Sequence, residues 1–425
     1  MSRDPHADPV RAPQDRAAPN VWDAVIVGAG PAGSTAAMIL ANRGHAVALI
    51  DRHDFPRDKT CGDALIPDTL RCLHRLGLYD RVRAHALASG AITVYSPARV
   101  AVDLPAEFIT VRRRVFDDLL VREACARGAM LMRGHVTGIE SPHAGPATVR
   151  VSARTAADRA ESAVRAHIVV LATGADVTLL ERCGMVERAE PSAFALRGYV
   201  QCDAVLDRLV VAFDRTILPG YAWIFPLPGG ELNVGCGVFG NGWHVRQVGL
   251  RRTLDTFLRE FPLARELFGS GESIGPLKGA RLRCGLTGAR PFRPPNILAL
   301  GEAIGTTFPL TGEGIGKAME TAEIAAAVIS DALGAGALEQ LAQYPERVET
   351  LRSRYVGYRI AERWIRSAFL SNIVARRVRR SDRLRAAAAG VLNETVDPTR
   401  VFSARALLAS VLPGAAAKPA AGAGR

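Results

Sequence analysis

The glycine-rich stretch Gly28-Ala-Gly30-Pro-Ala-Gly33 restricts the fold of this chain more than any other segment. An apolar run precedes it, a helix-like segment follows it, and a second apolar run ends at Asp51. This order predicts a βαβ unit that holds a dinucleotide by its pyrophosphate, with free N–H groups at the helix start facing the anion. Gly28 makes the tight turn, Gly30 lets the backbone approach the phosphates, and Gly33 lets helix and strand pack closely. Asp51 suits the acid that hydrogen-bonds a ribose hydroxyl, so we predict a Rossmann-like α/β domain.

Length and charge narrow the class of protein. A chain of 425 residues is too long for one small core, so two or three subdomains are expected. The net charge of +12 favours an anionic substrate, a phosphorylated cofactor, an acidic membrane face or nucleic acid. Aromatic residues make up only 6% of the chain and no zinc-finger spacing occurs, which argues against nucleic acid. We therefore predict no nucleic-acid partner and no metal site.

The cysteines and the N-terminal segment indicate the cellular compartment of the protein. The seven cysteines include no C-x-x-C pair, and an odd number fits a disulfide framework poorly, so reduced thiols in the cytoplasm are expected. Residues 1–20 lack the apolar core of a secretory signal, and no apolar run is long enough to span a membrane. The expected protein is cytoplasmic, and either soluble or peripheral at the inner face of a membrane.

Changes in composition divide the chain into predicted domains. Strand and glycine patterns recur in three separated segments, which predicts a discontinuous dinucleotide-binding domain: 21–90, 105–190 and 285–336. Short β-branched and aromatic runs punctuated by proline and glycine predict an inserted antiparallel-sheet substrate domain: 91–104 and 191–284. The two ends, 1–20 and 413–425, are expected to be disordered.

Residues 337–412 are predicted to form a C-terminal helical region. Five apolar residues in it recur at helical spacing and are expected to share one face: Tyr358, Ala361, Ile365, Phe369 and Ile373. Six arginines follow between Arg376 and Arg385. This arginine cluster is expected to hold the charged head of a substrate, to rest on acidic lipid, or to form a solvated helix face.

Three later motifs point back to the first sheet. Arg113 stands three residues before Phe116-Asp117 at the start of a predicted helix. One strand pattern ends at Ala172-Thr173-Gly174, and another runs into Gly301-Glu302-Ala303. The stretch Pro309-Leu-Thr-Gly312-Glu-Gly314-Ile315 then opens a long predicted helix. Together with the glycine turn, these motifs indicate one site assembled from separated segments.

The order of these elements resembles the FAD-dependent oxidoreductases of the para-hydroxybenzoate hydroxylase fold. In that family the late strand usually reads G-D-A, and its acid binds the ribityl chain of FAD. Glu302 replaces that aspartate here and keeps its charge and acceptor atoms. The resemblance also implies that Arg113 contacts FAD. The implied cofactor site consists of Gly28, Gly30, Pro31, Ala32, Gly33, Asp51, Arg52, Cys61, Gly62, Arg113, Ala172, Thr173, Gly174, Glu302, Pro309, Gly312, Gly314 and Ile315.

Two further motifs narrow the resemblance. They read Pro56-x4-Cys61-Gly62 and Pro219-Gly-Tyr221-Ala-Trp223-Ile-Phe225-Pro226, the latter continuing to Gly235-Cys-Gly237. Both are similar to the signatures of the geranylgeranyl reductase family, and the resemblance covers about Val21 to Leu333. It implies reduction of carbon–carbon double bonds in a prenyl chain or related apolar molecule by hydride from reduced FAD. One departure is Leu227, where many relatives place a lysine.

The implied catalytic set combines these two motifs: Cys61, Gly62, Tyr221, Trp223 and Phe225. The three aromatic residues alternate along the chain, so on a strand they point to one face. They form either an aromatic wall beside the flavin or a plain stripe of the core. Cys61, in a loop near Lys59, is expected to be a low-pKa thiol, a proton donor or an inert buried cysteine.

The reductant and two rival functions stay open in the sequence. No second G-x-G-x-x-G turn follows a strand, so the reductant is either transiently bound NADPH or a ferredoxin-type donor. The expected substrate is an apolar prenyl or polycyclic small molecule. The first rival is a flavin monooxygenase or halogenase on a small aromatic substrate, because Gly220–Pro226 partly resembles the halogenase signature G-W-x-W-x-I-P. The second rival is a flavin-binding protein without turnover.

Overall fold

The structure is a computed structural model that describes residues 18–143, 145–152, 161–240, 248–268 and 274–409. The predicted tail and most of the predicted N-terminal arm lie outside the described residues. The strands are β1 (Trp22–Val27), β2 (Val47–Asp51), β3 (Ala64–Leu65), β4 (Leu87–Tyr95), β5 (Ala101–Thr110), β6 (Met130–Arg133), β7 (His135–Glu140), β8 (Ala147–Ser152), β9 (Glu161–Leu171), β10 (Ala193–Gln201), β11 (Leu209–Ala212), β12 (Gly220–Pro226), β13 (Glu231–Phe239), β14 (Lys278–Leu282), β15 (Phe292–Arg293) and β16 (Ile297–Ala299).

The α-helices are α1 (Pro31–Asn42), α2 (Pro67–Leu76), α3 (Tyr79–Arg83), α4 (Arg113–Ala126), α5 (Thr178–Arg182), α6 (Leu250–Glu260), α7 (Pro262–Phe268), α8 (Ile315–Ala335), α9 (Tyr344–Glu349), α10 (Arg352–Arg366), α11 (Ala368–Arg380), α12 (Asp382–Leu392) and α13 (Ala404–Ala409). Short 3-10 helices occupy Pro228–Gly230, Gly301–Ile304, Leu338–Gln343 and Pro398–Arg400.

The first sheet confirms the predicted Rossmann-like domain. Strands β16, β9, β1, β2 and β6 lie side by side in this order and run parallel. Every residue of β2 is buried, and helices α1, α4 and α8 contribute to the same core. Strands covered on both faces are typical of parallel sheets. Because β1, β2, β9 and β16 are parallel, the segments that follow them meet at one edge of the sheet.

The second sheet has the strand order β14-β10-β13-β12-β11-β4-β5-β3. It is antiparallel as predicted except at one junction, where β11 pairs with β4 in parallel. Strands β4 and β5 span 87–110, so the sheet extends beyond the predicted 91–104 on both sides. This sheet faces the carboxyl edge of the first sheet across the cavity described below.

The C-terminal region is helical and packs against the second sheet. Val374, Val378 and Val391 share one apolar cluster with Val102 and Leu104 of β5. The stretch from Tyr358 to Ile373 is divided between α10 and α11. The prediction of a single apolar face is therefore wrong beyond Ile365.

Ser367 explains the break. Its backbone is extended, and its side chain caps α11 by accepting a hydrogen bond from Leu370 N, so the helical phase restarts there. Phe369 consequently points outward and is 72% exposed. Within the described residues, no helix is long and apolar enough to cross a membrane.

Candidate functional site

One cavity of about 1320 Å³ brings the predicted segments together. Its lining joins the glycine turn and strand ends of the first sheet, the inner face of the second sheet, and helices α11 and α12. All the predicted cofactor-binding residues line it except Gly33 and Pro309, which are buried in the protein. All five predicted catalytic residues line it as well.

The three glycines of the first turn differ in what surrounds them. At Gly28 the φ angle is +103°, and an added Cβ would lie 2.4 Å from the carbonyl oxygen of Ala172. At Gly33 a Cβ would lie 1.8 Å from the carbonyl oxygen of Gly28, so this glycine serves the packing of α1. At Gly30 the nearest atom is Nη2 of Arg57 at 3.7 Å. The protein therefore needs no glycine at Gly30, and the free space above it fits a bound pyrophosphate.

Asp51 fixes the glycine turn as well as lining the cavity. Its Oδ2 accepts a hydrogen bond from the N–H of Ala29 at 2.8 Å, and its Oδ1 accepts one from the N–H of His53 at 2.8 Å. Arg52 lies more exposed and forms an ion pair with Asp176 at 3.1 Å. The carboxylate of Asp51 lies at the cavity wall. Its contact with a ribose hydroxyl stays a prediction.

Arg113 is a buried arginine held in a fixed orientation. It donates two hydrogen bonds to the carboxylate of Asp117, at 2.6 and 2.8 Å, and Arg57 pairs with the same carboxylate at 3.2 Å. Bidentate pairing of this kind restricts the guanidinium geometrically. The pair keeps the pKa of Arg113 above its ordinary value despite the burial. A permanent positive charge therefore lies at the cavity wall, as the resemblance implies.

The two later motifs meet each other at the same wall. An added Cβ at Gly174 would lie 3.7 Å from Oε2 of Glu302. The other oxygen of Glu302 accepts a hydrogen bond from the N–H of Arg283 at 3.2 Å, which orients the carboxylate. Glu302 thus reaches the position next to Ala172–Gly174 despite its extra methylene.

The aromatic residues of β12 form a wall, and they are not a plain core stripe. Tyr221, Trp223 and Phe225 all line the cavity, with ring centroids 6.0 and 6.4 Å apart in succession. Tyr221 donates a hydrogen bond to the carbonyl oxygen of Thr311, and Trp223 Nε1 donates to the side chain of Asn233 at 2.9 Å. These bonds fix two of the three rings.

The loop that carries the cysteine lies against this wall. An added Cβ at Gly62 would be 3.1 Å from the ring of Phe225 and 3.6 Å from Nε1 of Trp223. Glycine at this position therefore allows the loop to approach the rings closely. The N–H of Asn233 Nδ2 donates to the carbonyl oxygen of Cys61 at 2.8 Å and holds the loop in place.

The environment of Cys61 excludes one of its three predicted roles. Burial raises the pKa of its thiol, and the nearby Asp63 adds to the effect, while the Arg113 guanidinium opposes it. The thiol is therefore protonated at neutral pH, and the low-pKa alternative is wrong. A protonated group lining the cavity is compatible with proton donation.

A buried network behind the loop was not predicted from the sequence. Asp63 is fully buried, and it accepts hydrogen bonds from Tyr199 Oη at 2.7 Å, Asn233 Nδ2 at 2.7 Å and the N–H of Arg113 at 3.0 Å. The network ties the cysteine loop to strands β10 and β13 of the second sheet and to the start of α4. The available signal was Asn233, a polar residue within an otherwise apolar strand sequence. Burial raises the pKa of Asp63 to about 6, although its hydrogen bonds oppose this.

We expect Asp63 to make the stability of the protein depend on pH. The folded-state pKa of about 6 exceeds the ordinary value of 3.8, so the folded state binds more protons between these values. The free energy of unfolding of the protein should therefore fall by roughly 3 kcal/mol as the pH rises between these two pKa values. Denaturant unfolding across this range should show that slope in the wild type and lose it in Asp63→Asn.

The matched control for this prediction is Asp54→Asn. It removes one carboxylate as well, but from a side chain that is 61% exposed. The control measures the effect of removing an exposed carboxylate together with its exposed ion pair to Arg133. An equal slope in the wild type and Asp63→Asn would contradict the proposed burial of an ionising Asp63.

A second group of acids lies beside the cavity around Lys317. This lysine is buried, and its Nζ lies 2.8 Å from Asp68 and 2.7 Å from Glu394. Glu313 lines the cavity close to them, and burial together with these two carboxylates raises its pKa well above the ordinary value. Glu313 is therefore a second acid with a raised pKa at the cavity wall, and the sequence motif did not single it out.

Comparisons with known proteins agree with this site. Residues 22–201 match the family described as FAD binding domain. The chain is 30% identical over 358 residues to menaquinone reductase of Mycolicibacterium smegmatis, covering 80% of this chain and 83% of that protein. It is 30% identical over 333 residues to digeranylgeranylglycerophospholipid reductase 1 of Methanopyrus kandleri, covering 73% and 81%.

Solved structures share the fold. A geranylgeranyl bacteriochlorophyll reductase-like protein of Thermoplasma acidophilum superposes with a TM-score of 0.72 at 21% identity, covering 92% of this chain and 96% of that chain. A flavin-dependent brominase superposes with a TM-score of 0.73 at 18% identity, covering 92% and 97%.

The glycine turn, the parallel sheet and the cavity define an FAD-dependent oxidoreductase. The free space at Gly30 and the fixed charge of Arg113 suit the pyrophosphate of FAD, and the acids Asp51 and Glu302 suit its hydroxyl groups. By its similarity to the reductases above, the chain belongs to the geranylgeranyl reductase family.

Proposed function

We propose that this protein reduces carbon–carbon double bonds in the prenyl chain of a quinone or lipid, or in a related apolar alkene. The observation that carries the proposal is the composition of the cavity described above. It begins at the dinucleotide-binding turn, includes the aromatic wall, and includes apolar side chains of the second sheet and the C-terminal helices: Ile92, Val102, Leu104, Phe108, Val374, Val378 and Val391. A long apolar chain would find a matching surface there.

The names of the relatives support the same substrate class. One is a menaquinone reductase and the other a digeranylgeranylglycerophospholipid reductase, so an isoprenoid substrate is the expectation for this chain. The large volume of the cavity fits FAD and a bulky substrate together.

Bound FAD, once reduced, supplies a hydride to one carbon of the double bond. The chain has to position the alkene, exclude water and supply a proton to the other carbon. The rings of Tyr221, Trp223 and Phe225 offer a rigid apolar surface for positioning. Two acids whose pKa values are raised by burial, Cys61 and Glu313, line the cavity and are the candidates for the proton. NADPH or a ferredoxin-type protein is the proposed source of electrons.

The test is anaerobic turnover with dithionite as reductant. Purified protein is incubated with a polyprenyl quinone or a geranylgeranylated lipid, and products are analysed by mass spectrometry. A gain of two hydrogens per reduced bond supports the proposal. Product that forms only with oxygen, and carries oxygen or halogen, would instead support the monooxygenase or halogenase alternative. Protein that neither purifies with flavin nor binds added FAD would count against both enzyme functions.

A further inference from the structure

The positive charge of this protein is concentrated in one segment. Residues 352–385 contain eleven arginines and only two acidic residues, so they carry nine of the twelve net positive charges of the chain. This segment comprises helices α10 and α11 and the start of α12. The remaining residues are close to electrically balanced, and the excess charge is therefore a property of this helical segment.

Seven of these eleven arginines form no ion pair among the described residues, although Arg359 and Arg363 interact at longer range with Glu362. Arg352, Arg354, Arg366 and Arg385 form ion pairs with carboxylates. Within the described parts of the chain, no carboxylate lies within ion-pair distance of the others: Arg359, Arg363, Arg376, Arg377, Arg379, Arg380 and Arg383. Leaving so many like charges unpaired on one surface disfavours the compact state. An anionic partner would relieve this repulsion.

Exposed apolar side chains lie among the unpaired arginines. On α11, Phe369 is 72% exposed, and Arg376 and Arg380 follow it by seven and eleven residues, which places all three on one outward stripe. On α10, Val356 is 44% exposed, and Arg363 follows it by seven residues. Basic residues combined with exposed apolar side chains on helix faces are typical of surfaces that bind anionic membranes.

The inner face of α11 belongs to the cavity. Ser371, Val374, Ala375 and Val378 line it, whereas Phe369, Arg376 and Arg380 lie on the opposite side of the same helix. One helix therefore separates the cavity from the charged surface. A docked surface would bring the apolar cavity next to the bilayer in which a long isoprenoid chain dissolves.

We infer that the outward surface of α10 and α11 docks on an anionic lipid bilayer, with Phe369 entering the interface between head groups and acyl chains. The phosphates of the lipid neutralise the unpaired arginines. The sequence has a low aromatic content and no aromatic motif for stacking on bases, so nucleic acid fits this charge less well than an anionic bilayer does. Only the link between docking and substrate delivery rests on the proposed function.

Vesicle co-sedimentation of the full-length, flavin-loaded protein tests the inference. Vesicles of phosphatidylcholine mixed with phosphatidylglycerol should bind it, pure phosphatidylcholine should not, and added salt should release it. Neutralising four exposed arginines, by Arg363→Gln, Arg376→Gln, Arg379→Gln and Arg380→Gln together, should weaken binding by on the order of 100-fold or more. Phe369→Ser should weaken binding without changing its dependence on salt.

The matched control removes the same charge from another surface. Arg251, Arg252, Arg259 and Arg265 are exposed on α6 and α7, and their joint replacement by glutamine should leave vesicle binding near the wild-type level. Both quadruple variants should retain flavin, which reports on folding. Equal binding of the two variants overturns the inference. The inference is also overturned if the protein binds duplex DNA but not vesicles and the first quadruple variant loses this binding to DNA.

The result is separable from the proposed function. Vesicle binding is measured without substrate, so its failure leaves alkene reduction untouched. If the proposed function is right, the rate on vesicle-embedded substrate relative to the rate on detergent-dispersed substrate should be lower in the first quadruple variant than in the wild type. Vesicle binding without any alkene reduction would contradict only the proposed function.

Discussion

Gly30→Val abolishes FAD binding and leaves the protein folded. A valine side chain would fill the free space above the first turn of α1, where the pyrophosphate is expected to contact the backbone. The backbone there cannot move away, because Gly28 and Gly33 are packed against Ala172 and against each other. Overpacking costs about 1–3 kcal/mol even where neighbours can shift. A loss of affinity of about 100-fold or more is therefore expected.

The protein itself should tolerate this substitution. Gly30 has an extended backbone with φ of −77°, which valine adopts readily, and its nearest neighbour is the flexible end of Arg57. Flavin absorbance of the purified variant, with titration of added FAD, measures binding, and circular dichroism measures folding.

Gly334→Val provides the matched control for this prediction. Gly334 lies exposed in α8, and an added Cβ would meet no atom within 4 Å. This variant should purify with the wild-type content of flavin. If Gly30→Val also purifies fully yellow, FAD does not contact the backbone at this turn.

The first sheet could be predicted because its determinants are local. The glycines of the turn lie within one βαβ unit and are recognised by their spacing, and apolar strands of the parallel type are recognisable one at a time. The order of the later motifs then placed Ala172–Gly174 and Glu302 at the same edge. The number of residues between these motifs does not matter, because parallel strands bring their carboxyl ends together.

Features that depend on distant partners could not be predicted in this way. Asp63 contacts Tyr199 and Asn233, which are 136 and 170 residues away, and neither pairing leaves a periodic pattern. The parallel pairing of β11 with β4 is equally non-local. The break at Ser367 was missed because the apolar spacing continues through it, although serine is a favourable N-cap.

The chemistry of Cys61 shows the same limit. Lys59 is visible in the sequence and suggested a lowered pKa, but the burial that raises the pKa results from contacts across the cavity. Of the predicted roles, the raised pKa favours the proton donor over the low-pKa thiol. The cysteine still lies at the wall where the sequence motif indicated it.

Cys61→Ser should retain FAD and slow alkene reduction by on the order of 100-fold. General acids contribute roughly 100- to 10,000-fold to rates, and a serine hydroxyl is a much weaker acid than a thiol of similar size. Flavin content should stay unchanged, because the carbonyl oxygen of Cys61 holds the loop and a serine hydroxyl can keep the side-chain hydrogen bond to Arg113. Single-turnover reduction of substrate by dithionite-reduced protein measures the effect apart from the electron donor.

Two further variants decide what a slow Cys61→Ser means. Cys125→Ser alters another buried cysteine, on α4 and outside the cavity lining, and should not change the rate. Glu313→Gln removes the other acid. If Glu313→Gln is slow and Cys61→Ser is not, the proton comes from the Lys317 side of the cavity and Cys61 is structural. If the Cys61→Ser variant is slow and the Glu313→Gln variant has the normal rate, the proton comes from the thiol, because removing the other acid in the cavity does not slow the reaction.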